Sequence, residues 1–138
     1  MTKANLTISP DKVFFIIVKA REFDAKEELS DPDSGSNPSD DKDIDILEEK
    51  ADDPTFEELA SAIRALNIDE QLDLLALTWI GRGDFDAADW KTARAEAAGV
   101  GHKHVTRYLV HTPLLSDYLT GAMADLGYDF EDLEKNRL

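Results

Sequence analysis

Apolar residues recur at helical spacing along most of this chain. Val13, Ile16, Ile17 and Ala20 form one stripe, widened by Phe14 and Phe15, behind the opening Ser9-Pro10-Asp11. A hydroxyl cap, a proline where no amide donor is needed and an acid near the positive end of the helix dipole favour a helix start. The spacing predicts a central first helix running to about Lys26. A second stripe, Phe56, Leu59, Ala60, Ile63 and Leu66, follows Thr55, with Glu58 placed for a reciprocal capping box. A third helix is expected from near Asp69, after Asn67, with Leu72, Leu75, Ala76 and Trp79 facing inward. Gly81 and Gly83 should end it in left-handed conformations.

Beyond that stop, Phe85, Asp86, Asp89 and Trp90 have the spacing of a hydrophobic staple around an N-cap. A fourth helix should reach about Ala98 and stop at Gly99, and a further one should span Lys103 to His111. Thr112-Pro113 then reads as the opening of a helix lined by Leu115, Leu119, Ala122, Met123 and Leu126, ended by Gly127 and followed by a polar tail from Asp129. No alternating run competes and no internal repeat is present. The expectation is an all-α fold, a single-domain helical bundle of about five or six helices over residues 1–138. One interruption stands out. Residues 28–53 contain SDPDSGSNPSDDKD, too rich in breakers and acids to bury much, and are expected to be a largely irregular acidic loop or arm, with one short helical turn at Asp45 to Ala51.

Charge sharpens this picture once it is located. The net charge of −15 arises between Glu22 and Asp73, which holds 19 acidic and 4 basic residues, while the rest has 11 of each. Asp24 to Asp53 alone has 13 acids against 3 lysines. The reverse bias falls on Trp90 to His111, where Lys91, Arg94, Lys103 and Arg107 face only Glu96, with all three histidines added. Direct nucleic-acid binding is disfavoured, because phosphate backbones need a concentrated cationic face. With no cysteine, disulfides, thiolate metal sites and cysteine nucleophiles are excluded. The run Val13 to Val18 is too short for a secretory core or a membrane span, which points to a cytosolic protein in which the triplet Asn5-Leu6-Thr7 carries no glycan.

Candidate chemistry is sparse. Arg82-Gly83-Asp84 matches the tripeptide read by integrins, but it sits between two helices in a chain without an export signal. An internal role is expected: Arg82 bonding helix-end carbonyls or an acidic side chain, and Asp84 accepting amides at the next helix start. Acidic clusters at Asp31, Asp33, Asn37 and Asp41, and at Asp84, Asp86 and Asp89, fail the calcium-loop count. The position that needs glycine holds Ser36 or Asp89, and the position that needs glutamate holds Lys42 or Ala95. His104, Arg107, Tyr108 and His111 fall at i, i+3, i+4 and i+7, so one helix face is expected to present two imidazoles, a guanidinium and a phenol. That face suits an anion or an acid/base pair, and is the only catalytic candidate.

Three stretches, Arg21 to Asp41, Leu66 to Asp86 and Thr112 to Tyr128, together resemble a family of small bacterial proteins, domain of unknown function family 3775, with GRGD and DSGSN the most specific parts. The resemblance implies a bacterial, cytosolic setting and carries no activity, cofactor or functional residue. The leading expectation is therefore a small interaction or regulatory module. It would act through its helical surface and through an acidic loop, with Asp31, Asp33, Asp40 and Asp41, that meets a basic partner surface. Arg82, Asp84, His104, Arg107 and His111 complete the candidate contact residues. A metal- or anion-binding protein is the alternative, and an enzyme using the histidine face comes last. No cofactor is implied, and an amphipathic helix left over once the core is filled would favour a homodimer.

Overall fold

A computed structural model describes residues 6–30 and 53–128. Six helices make up the described fold: α1 (Pro10–Ser30), α2 (Pro54–Arg64), α3 (Ile68–Arg82), α4 (Trp90–Val100), α5 (Val105–Val110) and α6 (Leu115–Asp125). A single 3-10 turn, Ala87–Asp89, precedes α4, and no strand occurs among the described residues. The all-α expectation holds. Helix α1 continues past Lys26 to Ser30, where a loop was expected from residue 28. The acidic clusters of the expected loop, and the short turn at Asp45 to Ala51, lie outside the described residues.

The centre of the fold is α3 rather than α1. Helix α3 packs against α4, α5 and α6, while α1 lies against α2 and α6, and α2 also meets α5. Leu72, Leu74, Leu75, Ala76, Leu77 and Ile80 are all buried, so α3 has almost no solvated face. A helix that is apolar on every side belongs inside. By contrast α1 keeps a wet side: Val13, Ile16, Ile17 and Ala20 are buried, but Phe15 is 44% exposed. It lies off the stripe, and its ring is covered instead by the Lys19 ammonium 5.4 Å from the centroid.

Polar groups fix how these helices meet. Asp73, in the middle of α3 and only 2% exposed, accepts hydrogen bonds from the backbone amides of Thr7 and Ile8 just before α1. Its other oxygen accepts from Arg94 Nε of α4 at 2.6 Å, and Arg94 also reaches Asp69 at 3.1 Å. One turn away, Glu70 forms a reciprocal capping box with Asn67 and takes a 2.7 Å ion pair from Lys12 of α1. Two charged residues in an apolar stretch thus become the junction of α1, α3 and α4.

Several predicted caps are displaced. Helix α2 is capped by Asp53, whose Oδ1 accepts both the Thr55 amide and the Thr55 hydroxyl. Pro54 at the first helical position makes Asp53 the better cap, and it takes Thr55's hydroxyl away from the expected capping box. Glu58 instead pairs with Lys19 of α1 at 3.0 Å. Ahead of α4, Phe85 packs on Trp79, with centroids 6.0 Å apart, and Trp90 is buried in the core at the start of the helix. Asp86 begins the 3-10 turn without a side-chain cap bond. Helix α4 runs through Gly99 to Val100 and ends at Gly101.

Gly81 lies inside α3 and does not end it. A Cβ there would sit 1.9 Å from the carbonyl oxygen of Tyr118, so α3 and α6 cross backbone to backbone at this point. Gly81→Ala should therefore destabilise the fold by about 1–3 kcal/mol or more, since backbone cannot step aside as a side chain can. Gly99→Ala, facing open space in the exposed last turn of α4, should stabilise slightly, by up to about 0.5 kcal/mol. Urea unfolding of the two variants checks both signs.

The α1–α3 junction also predicts an acid dependence. The Lys12 ammonium, followed by the Asn67 amide, holds the Glu70 carboxyl below its ordinary value of 4.5, against an opposing effect of burial. A carboxyl lowered in the folded state stabilises fully above its unfolded value, and that stability is lost as pH falls through the lowered one. Glu70→Gln should melt below the wild type at pH 7, and the gap should close as the pH is taken below about 4.5 in paired thermal scans.

Candidate functional site

The end of α3 explains Arg82-Gly83-Asp84. Gly83 is left-handed, with φ 98°, and its amide reaches the carbonyls of Trp79 and Ile80 at 3.1 Å, while the Asp84 amide reaches Trp79 at 2.9 Å. This double closure satisfies the Trp79 and Ile80 carbonyls in the last turn of the helix. The tripeptide closes on itself: Arg82 Nε and Nη2 donate to Asp84 Oδ2 at 2.9 and 2.7 Å. Arg82 thus takes the acidic partner anticipated for it, whereas the Asp84 carboxylate receives the guanidinium rather than the amides of the next helix. Asp84 raises the Arg82 pKa above its usual value, against a smaller opposing effect of burial, and Tyr108 adds to the rise.

Tyr108 belongs to α5, and its ring centroid lies 5.8 Å from the Arg82 guanidinium carbon. Helix α5 buries Val105, Leu109 and Val110 and turns His104, Arg107 and Tyr108 outward. His104 and His111 flank this short helix as its caps rather than lying within it. All four residues of the expected face nonetheless line one open cleft of about 470 Å³, together with Arg82, Thr112 and Pro113. No aspartate or glutamate is among these lining residues. The cleft therefore joins two motifs that the sequence keeps apart, the RGD arginine and the histidine helix. Packing of α5 and α6 against α3 does this, and no local pattern reports it.

The floor of the cleft continues into an unusual turn. Thr112 Oγ1 donates to the Tyr108 carbonyl at 2.7 Å, and the Thr112 amide to Leu109 at 3.0 Å. Because its hydroxyl closes α5, Thr112 does not open α6, which begins at Leu115. Leu114 takes up the reversal with φ 62°, the one non-glycine residue with positive φ among those described, and it is 50% exposed. A leucine in this conformation costs about 1–2 kcal/mol, and a strained, half-exposed apolar residue beside a cleft is a reason to look for function there.

Elsewhere, a second recess of about 310 Å³ lies between α1 and α2, lined by Asp11, Lys12, Phe15, Ile16, Ala62, Ala65 and Leu66. Asp31, Asp33, Asp40 and Asp41 lie outside the described residues. Among the described residues, no three His, Asp or Glu side chains gather at metal-binding distances, and no helix is long and apolar enough to cross a membrane.

No curated protein and no solved structure matches the chain. A family match covers residues 56–128, from α2 to the end of α6, and so takes in the whole cleft and the RGD turn but not the DSGSN stretch. On that match, the chain belongs to the family described as Protein of unknown function (DUF3775).

Proposed function

We propose that this protein is a small interaction module whose docking face is the outer side of α5 with the turn that follows it. What carries the reading is Leu114, held half-exposed in a strained conformation directly after the cleft residues Thr112 and Pro113. Tyr108, 38% exposed, and Arg107 stand on the same cleft. Aromatic and arginine side chains around an apolar anchor are the residue types that dominate binding at protein interfaces. Charge selects the partner: a face with Arg82, Arg107 and two histidines, and no acid in its lining, suits an acidic segment of another protein. The acidic stretch from Glu28 to Asp53 extends the proposal to a second contact, with a basic surface on the same partner. The setting proposed is the cytoplasm of a bacterium.

Leu114→Gly relieves the positive-φ strain while deleting the anchor. Its stability should stay within about 1 kcal/mol of wild type, while partner binding is lost. Tagged wild type, Leu114→Gly and Tyr108→Ala recovered from native cells after cross-linking through Lys103 provide the test. One acidic partner, linked at Lys103 in the wild type and missing from both variants, supports the proposal. Equal recovery by all three, or turnover of a small substrate that needs His104 or His111, contradicts it.

A further inference from the structure

We infer that the cleft between the end of α3 and α5 is a subsite for a phosphate monoester, with Asp84 as the internal carboxylate that an incoming phosphate displaces from Arg82. The inference rests on the docking face just described and names the group that the face receives.

Donors reach the cleft from two sides. Arg82 comes from the end of α3 and Arg107 and Tyr108 from α5, with His104 and His111 at the two caps of that helix and Thr112, its hydroxyl already given to the Tyr108 carbonyl, just beyond them. A planar carboxylate is satisfied by one guanidinium fork. A tetrahedral, doubly charged group can use donors that arrive from several directions, and arginine is well suited to hold it. The large negative charge of the chain does not decide the local sign, because its excess lies between Glu22 and Asp73, and the cleft lining has none of it.

Asp84 is not a lining residue, but it reaches Arg82 from beside the cleft, and its geometry is that of a stand-in. It engages Arg82 through a single oxygen, Oδ2, which takes both Nε and Nη2. Both side chains are well exposed, 36% for Arg82 and 45% for Asp84, and an ion pair this open to solvent is weak. It is strong enough to hold the guanidinium in place over Tyr108 and weak enough for a dianion to replace it. The exchange is local, because the amides of Gly83 and Asp84 stay bonded to the Trp79 and Ile80 carbonyls and only the Asp84 side chain has to move. Removing the Asp84 charge should therefore free Arg82 for the ligand, whereas a merely structural Asp84 would leave affinity unchanged.

The test is an amide NMR titration of the full chain with inorganic phosphate and with a phosphoserine peptide, against acetate and chloride at equal ionic strength. Saturable shifts at Arg82, His104, Arg107, Tyr108 and His111 are expected with both phosphates and not with acetate. Asp84→Asn should tighten phosphate binding about two- to fivefold, the equivalent of a pair worth up to about 1 kcal/mol. Arg107→Ala should abolish it, and Arg82→Ala with Asp84→Asn should bind no better than Arg82→Ala alone. Response to the phosphoserine peptide alone still supports the subsite and assigns the phosphate to a protein, whereas response to free phosphate alone assigns it to a small molecule. Equal affinity of Asp84→Asn and wild type overturns the displacement, and acetate shifts as large as those of phosphate overturn the ligand class. Absence of any saturable shift overturns the subsite while partner recovery through Leu114 still stands or falls on its own.

Discussion

A buried carboxylate governs this fold. Asp73 sits in a helix whose side chains are nearly all buried, out of contact with water, and such a group is tolerated only when its hydrogen bonds are satisfied. Three donors satisfy it, the amides of Thr7 and Ile8 and the guanidinium of Arg94. Each comes from a different part of the chain than α3, so placing one charge also sets where α1 begins and how α4 lies. One of the four basic residues that give the Trp90 to His111 segment its positive bias is thereby spent internally: Arg94 is a strut between α4 and α3.

From this junction the cleft follows by packing. With α3 fixed at the centre, the missing Cβ at Gly81 lets α6 cross it with backbones in contact. Helix α5 lies just before α6 and also against α3, which brings Tyr108 over Arg82. The site is thus assembled by two features without any ligand chemistry of their own, a glycine and a buried acid. Its strained element, Leu114, lies in the short connection where α5 must stop and α6 must start within a few residues.

The helices themselves are legible because their apolar stripes are periodic and three of them, α3, α4 and α6, stop at glycines. Gly83 and Gly127 both take the left-handed conformation that a helix stop favours. Finer features failed where one residue had two plausible tasks. Thr55 has the spacing of a cap, but Pro54 hands that position to Asp53; Thr112 stands before a proline as a helix opener does, but its hydroxyl serves α5. VFFIIV is the more apolar-looking run, whereas LDLLALTWI, the more buried one, hides its burial behind Asp73. A charge inside an otherwise apolar helix was the available signal. The histidine face was readable from its spacing, but Arg82 joins it only through the packing of α3 with α5, and no spacing rule spans that distance in sequence.

Equilibrium urea unfolding of Asp73→Ala, Arg94→Ala and the double variant tests the account most directly. If Asp73 is the junction, Asp73→Ala should lose about 3–5 kcal/mol, because it strands a largely buried guanidinium and two amides. The double variant should lose much less than the sum of the two single ones, since both act in one network. A loss below about 1 kcal/mol for Asp73→Ala, with the two effects simply adding, is the behaviour of a surface ion pair and would contradict the central role given to this residue.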